Sequence, residues 1–261
     1  MQIIGEDHDF EQIKQEYSEK GFITINNFLN EKIAKSTYTG LKDLSEKGLW
    51  YQANHGNPKY YKKDLTIEDS NYFHFSFRYE MFPLKNYTLD EMKKSNILKK
   101  DIKHLDKINN NPEMELNYSH PLRQIGDFFN SDEMHNLITY ITNNPLSAND
   151  ALCFASRYTA DDFLAIHDDG STDSAVPRRV AFVLNMTKDW LIHWGGNLVI
   201  LNEECDEVIE THIPKFNSLV LFDVPLKHAV LPVSCNCQSE RFAITGWYQN
   251  IYKNDNIDCK I

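Results

Sequence analysis

The stretch FLAIHDDGS, residues 163–171, sets one histidine ahead of two consecutive aspartates at the end of an apolar run that reads as a β-strand. Side chains alternate faces along a strand, so His167 and Asp169 are expected on one face and Asp168 on the other. A His-x-Asp pair is a weak signal alone, and His104-Leu105-Asp106 repeats the spacing in this same chain. That second pair sits in a Lys-rich stretch of helical or loop character, where positions i and i+2 diverge, and it reads as solvated surface. The first pair differs from its twin in having a third donor downstream. His228 lies in FNSLVLFDVPLKHAVLPVS, at the start of another strand and after a turn containing Pro225. Standing alone it would be a turn histidine; with the other two it completes a two-imidazole, one-carboxylate set that leaves coordination positions open, the donor set of non-haem Fe(II) facial triads.

A fourth residue extends the pattern. In RFAITGWYQN, residues 241–250, Arg241, Ala243, Thr245 and Trp247 share one face of a strand. An arginine turned into an apolar interior is costly unless it meets an anion, and its planar fork matches a carboxylate. A salt bridge to a protein acid is the competing reading.

These residues need a scaffold. GFITINNFL, residues 21–29, alternates apolar and polar side chains and reads as a strand; Asn30 then caps a helix, EKIAKSTYTGLKDLSEKG, that stops at Gly48. Residues 50–118 lack periodicity and are rich in Lys, Asn, Asp and Tyr, with a short helix expected over KKDIKHLDKINNNPE; they read as an elaboration or lid near the site. Pro121 is placed as a first-turn proline for PLRQIGDFF, and Ser131 caps DEMHNLITYIT. From about residue 150 the character changes to short strands separated by Gly, Pro, Asn and Asp turns: ALCFASRY, FLAIHDD, RRVAFVLNM, GGNLVIL, SLVLFD, HAVLPVS and RFAITGWYQN. The fold class is therefore mainly β with supporting N-terminal helices, a jelly-roll or cupin-like barrel rather than a parallel α/β sheet. One domain over residues 1–261 is expected, with an N-terminal part at 1–149 and the barrel at 150–250.

Composition narrows the partners. A net charge of −11 disfavours a nucleic-acid backbone, because non-specific binding there depends on Lys and Arg neutralising phosphates. A small substrate or a basic peptide fits better. No N-terminal basic-then-apolar leader and no run of about 18 apolar residues is present, which points to a cytoplasmic protein without a membrane span. The five cysteines are irregularly spaced and read as reduced thiols, Cys235 and Cys237 flanking a turn.

Jointly, these pieces resemble the Fe(II)/2-oxoglutarate-dependent dioxygenases of the prolyl 4-hydroxylase type, over roughly residues 150–250. The shared pieces are Tyr158 ahead of the His-x-Asp, the set His167, Asp169 and His228, the strand VAFVLNMTKDW, the turn Gly195-Gly196-Asn197-Leu198, and RFAITGWY. DFLAIHDD, Arg178-Arg179 and WGGNL bring the similarity nearest to ribosomal-protein prolyl hydroxylases and their bacterial relatives. The chain departs from hypoxia-type relatives in carrying Phe182 and Val183 where they have a tyrosine. The resemblance implies a double-stranded β-helix in which His167, Asp169 and His228 hold Fe(II). It further implies that Arg241 takes the distal carboxylate of 2-oxoglutarate, assisted by Thr245 and Tyr158, with O2 as second co-substrate and ascorbate as a possible auxiliary. It implies a hydroxylase of a prolyl residue in a peptide or protein, or alternatively of a free amino acid or natural-product intermediate; a non-catalytic metal-binding barrel is the remaining alternative. The retained Asp169 carboxylate favours hydroxylation over halogenation. Trp194 and Trp247, with Tyr51, Phe73, Phe75 and Tyr79, are candidates for a substrate mouth, core packing being their ordinary alternative.

Overall fold

A computed structural model of the protein describes residues 2–55, 77–84, 120–146, 151–170 and 177–249. The two capped helices begin where the sequence places them: Asn30 Oδ1 accepts from Ile33 N–H at the start of α2 (Glu31–Glu46), and Ser131 Oγ accepts from Met134 N–H at the start of α4 (Asp132–Thr142). Pro121 opens α3 (Pro121–Phe129), where its missing N–H is not needed. A further helix, α1 (Phe10–Lys20), is capped by Asp9 and ended by Gly21, whose φ of +74° suits a left-handed C-cap.

The strands are β1 (Phe22–Asn26), β2 (Tyr51–His55), β3 (Phe77–Pro83), β4 (Leu152–Tyr158), β5 (Phe163–His167) and β6 (Arg178–Asn185). They continue with β7 (Leu198–Leu201), β8 (Val208–His212), β9 (Ser218–Asp223), β10 (His228–Val230) and β11 (Arg241–Gln249). Every pairing among them is antiparallel, in the order β1-β9-β6-β11-β4-β3-β5-β10-β7-β8 with β2 on β3. This is a double-stranded β-helix. One wall is β1-β9-β6-β11-β4, the other β5-β10-β7-β8, and β3 pairs with both β4 and β5 at the junction. All seven strands expected after residue 150 are present. β2, β3 and β8 are additional, β2 and β3 placing strands in the stretch 50–118, while the short helix expected over KKDIKHLDKINNNPE lies outside the described residues.

Strand alternation divides the first wall cleanly. Val180, Phe182, Leu184, Leu219, Leu221, Phe242, Ile244 and Tyr248 face the helices, where they pack with Leu41, Leu44, Leu122, Phe129, Ile138 and Ile141. Ala181, Val183, Val220, Phe222 and Ala243 face the barrel interior and meet Leu198, Ile200 and Val230 from the second wall. The helices thus hold the first wall rigid while its other face remains available to chemistry. At the far seam, between the unpaired edges of β1 and β8, His212 Nδ1 shares a 2.8 Å hydrogen bond with Thr24 Oγ1, above a groove of about 820 Å³.

Candidate active site

β5 ends at His167 and β10 begins at His228, and these two residues face each other as an antiparallel pair. Their rings lie 4.1 Å apart between centroids. Each ring is fixed in the same manner: His167 Nδ1 donates to Ala165 O at 2.9 Å and His228 Nδ1 donates to Leu226 O at 2.8 Å. Carbonyl oxygens only accept, so the protons belong on Nδ1 and both Nε2 atoms present lone pairs.

Those lone pairs converge on Asp169. His167 Nε2 is 3.3 Å from Asp169 Oδ1, and His228 Nε2 is 3.3 Å from Asp169 Oδ2. The three side chains could hold a metal ion, with one ligand atom from each lying within 4.8 Å of the others. Burial disfavours ionisation of Asp169, but the two imidazoles outweigh it and hold the carboxyl well below its usual range. Burial also pulls both imidazoles down; Asp169 reverses this at His167, while at His228 the neighbouring His167 adds to the depression. A cation among these three groups, either a proton or a metal ion, would bridge the carboxylate to the two imidazoles. Two fixed imidazoles, one carboxylate and open positions suit Fe(II).

Asp169 arrives on this face by a different route from the one strand alternation suggests. β5 stops at His167, and Asp169 lies beyond it with a left-handed φ of +58°. Arg178, at the start of β6, steadies it: Nη1 donates to Asp169 O at 3.3 Å and lies 3.7 Å from Oδ1. The Arg178 guanidinium in turn stacks on Trp247 at 3.9 Å from the ring centroid. Asp168 points away, accepting from Lys227 Nζ at 2.6 Å and from Gly170 N–H at 2.9 Å. Sequence reasoning attached no role to Arg178, since nothing in its spacing signals contact with residue 169.

Arg241 opens β11 opposite Tyr158 on β4, with its guanidinium 4.7 Å from the Tyr158 ring centroid. It is 1% exposed, yet among the described residues no carboxylate lies within ion-pair distance, and its Nε has no hydrogen-bond partner. Burial lowers its pKa, but a guanidinium remains a cation at neutral pH. Such a cation calls for an anion that none of the described residues supplies. Room for its side chain comes from Gly196, at φ +65°, where a Cβ would approach Arg241 Cδ to 3.1 Å. Glu240, the preceding residue, ties the start of β11 to Lys42, Ser45 and Arg157, each at 2.7 Å.

Thr245 lies on the same inner face of β11, half-buried. Trp194 sits in a 3₁₀ turn, edge-on to Trp190. Phe73, Phe75, His104 and Asp106, and the side chains of Tyr51 and Tyr79, lie outside the described residues. Cys205, Cys235 and Cys237 are free thiols.

Residues 153–249 match the family described as the 2OG-Fe(II) oxygenase superfamily. The search of curated proteins finds no match. Among solved structures, the chain is similar to a prolyl-4-hydroxylase from Pseudomonas putida at 16% identity and TM-score 0.56, covering 93% of this chain and 99% of that one. It is similar to a prolyl hydroxylase from Trichoplax adhaerens, solved with a hypoxia-inducible-factor peptide fragment, at 16% identity and TM-score 0.59, over 92% and 89% of the two chains. It is also similar to SnoN, a non-heme α-ketoglutarate-dependent epimerase of nogalamycin biosynthesis, at 10% identity and TM-score 0.54, over 92% and 82%. At these identities the structures establish the shared fold. The stretch similar to 2OG-Fe(II) oxygenases, residues 153–249, is the one that carries His167, Asp169, His228 and Arg241. No helix among the described residues is long and apolar enough to cross a membrane.

Proposed function

We propose that the protein hydroxylates an unactivated C–H bond of a prolyl residue in a peptide or protein, with Fe(II) held by His167, Asp169 and His228 and the distal carboxylate of 2-oxoglutarate held by Arg241. The observation that carries the reading is the pairing of a buried, cation-demanding two-histidine, one-carboxylate cluster with a buried, anion-demanding arginine in one barrel. One needs a metal and the other a carboxylate, and a chelating 2-oxo diacid satisfies both.

In this scheme the Ala165 and Leu226 carbonyls fix both imidazoles with Nε2 toward the metal position. Arg178 holds Asp169 in its left-handed conformation so that the carboxylate meets them. Tyr158 walls one side of the Arg241 guanidinium, and Thr245 lies further along the same strand face to assist. With Fe(II) and 2-oxoglutarate bound, the centre supplies an oxidation in which O2 and 2-oxoglutarate yield succinate and CO2 and one oxygen atom enters the C–H bond as hydroxyl. The barrel contributes positioning, tuning of the ligands and exclusion of bulk water.

A peptide substrate is supported by the net charge of −11, which would draw a basic segment toward the mouth. The prolyl hydroxylases that share the fold lend the same support. A free amino acid or natural-product intermediate is the second reading, favoured by the likeness to SnoN. The test is succinate formation dependent on Fe(II) and 2-oxoglutarate, lost in His167→Ala and Asp169→Ala. It is followed by mass spectrometry for a gain of one oxygen on basic prolyl peptides against a panel of free amino acids. Full turnover by Asp169→Ala would overturn the metal assignment, and oxygen gain confined to free amino acids would overturn the peptide assignment.

A further inference from the structure

The barrel interior contains a second buried polar group without a partner. Asn185, the last residue of β6, is 1% exposed, and among the described residues neither its Nδ2 nor its Oδ1 has a hydrogen-bond partner. Its orientation follows from its neighbours. Val180, Phe182 and Leu184 face the helices, whereas Ala181 and Val183 face the barrel, so Asn185 falls on the barrel side.

Register locates it more closely. Asn185 pairs with Ala243 on one side and Ser218 on the other, and Ala243 pairs with Ser156. A polar row therefore crosses the inner face at this level, with the small Ala243 methyl between Ser156 and Asn185. Ser156 Oγ donates to Ala243 O at 3.4 Å, and Ser218 Oγ donates to Lys215 O at 2.9 Å. In that row the two serines have partners, and Asn185 retains both a free donor and a free acceptor. Residues diagonal to Asn185 across the β6–β11 pair are Arg241 and Thr245, the positions two residues either side of Ala243. Diagonal neighbours in a sheet lie about 7–8 Å apart, within reach of a long side chain or of one small ligand bridging them.

An unpaired buried amide is costly, and a protein retains one where something pairs with it. We infer that Asn185 is a co-substrate-positioning residue whose Nδ2 donates to the carboxylate held by Arg241. The inference rests on the proposed placement of 2-oxoglutarate.

The experiment is calorimetric titration of two ligands into the Mn(II)-loaded protein, for the wild type, Asn185→Leu and Asn185→Asp. 2-Oxoglutarate is the first ligand. 2-Oxopentanoate, which keeps the 2-oxo acid head and lacks the distal carboxylate, is the second. Loss of one hydrogen bond to a charged group predicts 2-oxoglutarate binding about 10-fold weaker or more in Asn185→Leu. Asn185→Asp, which sets a carboxylate beside Arg241, is expected to weaken it further. Affinity for 2-oxopentanoate and for Mn(II) is expected to change less than about twofold, since neither makes the contact. The ligand-free melting temperature of Asn185→Leu is expected to hold or rise, because no internal hydrogen bond is removed.

Equal losses for both ligands, or unchanged 2-oxoglutarate binding, would overturn the inference, as would a fall in ligand-free stability with binding intact. Failure of the wild type to bind 2-oxoglutarate, or undiminished binding by Arg241→Met, would instead overturn the placement of 2-oxoglutarate on which it depends.

Discussion

Two adjacent aspartates with identical side chains have opposite surroundings. Asp169 is enclosed by two imidazoles and Arg178, while Asp168 meets Lys227 and a turn amide near the surface. Asp168→Asn is expected to retain metal binding and turnover, with a stability cost under about 1 kcal/mol, the usual range for an exposed ion pair. Asp169→Asn is expected to lose both, and Co(II) absorption spectra of the two variants would separate them. Arg178→Ala leaves every proposed ligand in place but removes the brace on a strained aspartate. Metal affinity is expected to fall about 10- to 100-fold, measured by Co(II) titration, as when other residues that orient metal ligands are removed. His167, Asp169 and His228 were read from the sequence as one donor set through their types and order, and the structure brings the three together. The stated reason for Asp169 did not hold, since alternation ends at His167 and a left-handed turn carries the chain the rest of the way. Asn185 did carry a signal: a polar residue at an inward position closing an apolar strand.

At the scale of elements, what positions Arg241 is the junction where α2, β4 and β11 meet. Glu240 is 20% exposed and accepts from Lys42, Ser45 and Arg157, so its carboxyl is depressed: burial opposes ionisation, and the three donors outweigh it. A carboxylate with a lowered folded pKa contributes stability that is present above its unfolded value, about 4.3, and is lost as pH falls through the folded value. Glu240→Gln is therefore expected to cost about 1–2 kcal/mol at pH 7 and progressively less below pH 4, seen as converging denaturant midpoints. Gly196→Ala combines a left-handed φ with a Cβ pressed on Arg241 Cδ and Val233 Cγ2. It is expected to weaken 2-oxoglutarate binding at least about tenfold while costing about 1–3 kcal/mol of stability. Most elements were readable from caps and period-2 runs. β8 escaped because VIETH lies at a sheet edge with both faces largely solvated, leaving no apolar alternation to detect. β3 escaped although FRYEMF alternates, because it is embedded in a long Lys- and Asn-rich stretch whose composition reads as loop.

For the molecule as a whole, two proposed ligand sites in one barrel mean that binding and folding stability are linked. Mn(II) and 2-oxoglutarate, each at 100 times its dissociation constant, are expected to add about 2.7 kcal/mol apiece. Arg241→Met is expected to keep the first increment and lose the second, as measured by thermal shift. The all-antiparallel barrel was legible from the spacing of short strands after residue 150, but the way its walls join was not, because that depends on β3. By pairing with β4 and β5 together, β3 closes one side of the barrel, whereas the opposite side, between β1 and β8, is bridged by side chains such as Thr24 and His212. Mechanically the barrel is a clamp with a hinge at one side and a latch at the other. Its breathing should be lopsided: backbone amides of β8 should exchange with deuterium well before those of β10 and β11, so that the latch side loosens while the His167, Asp169 and His228 cluster and Arg241 keep their spacing.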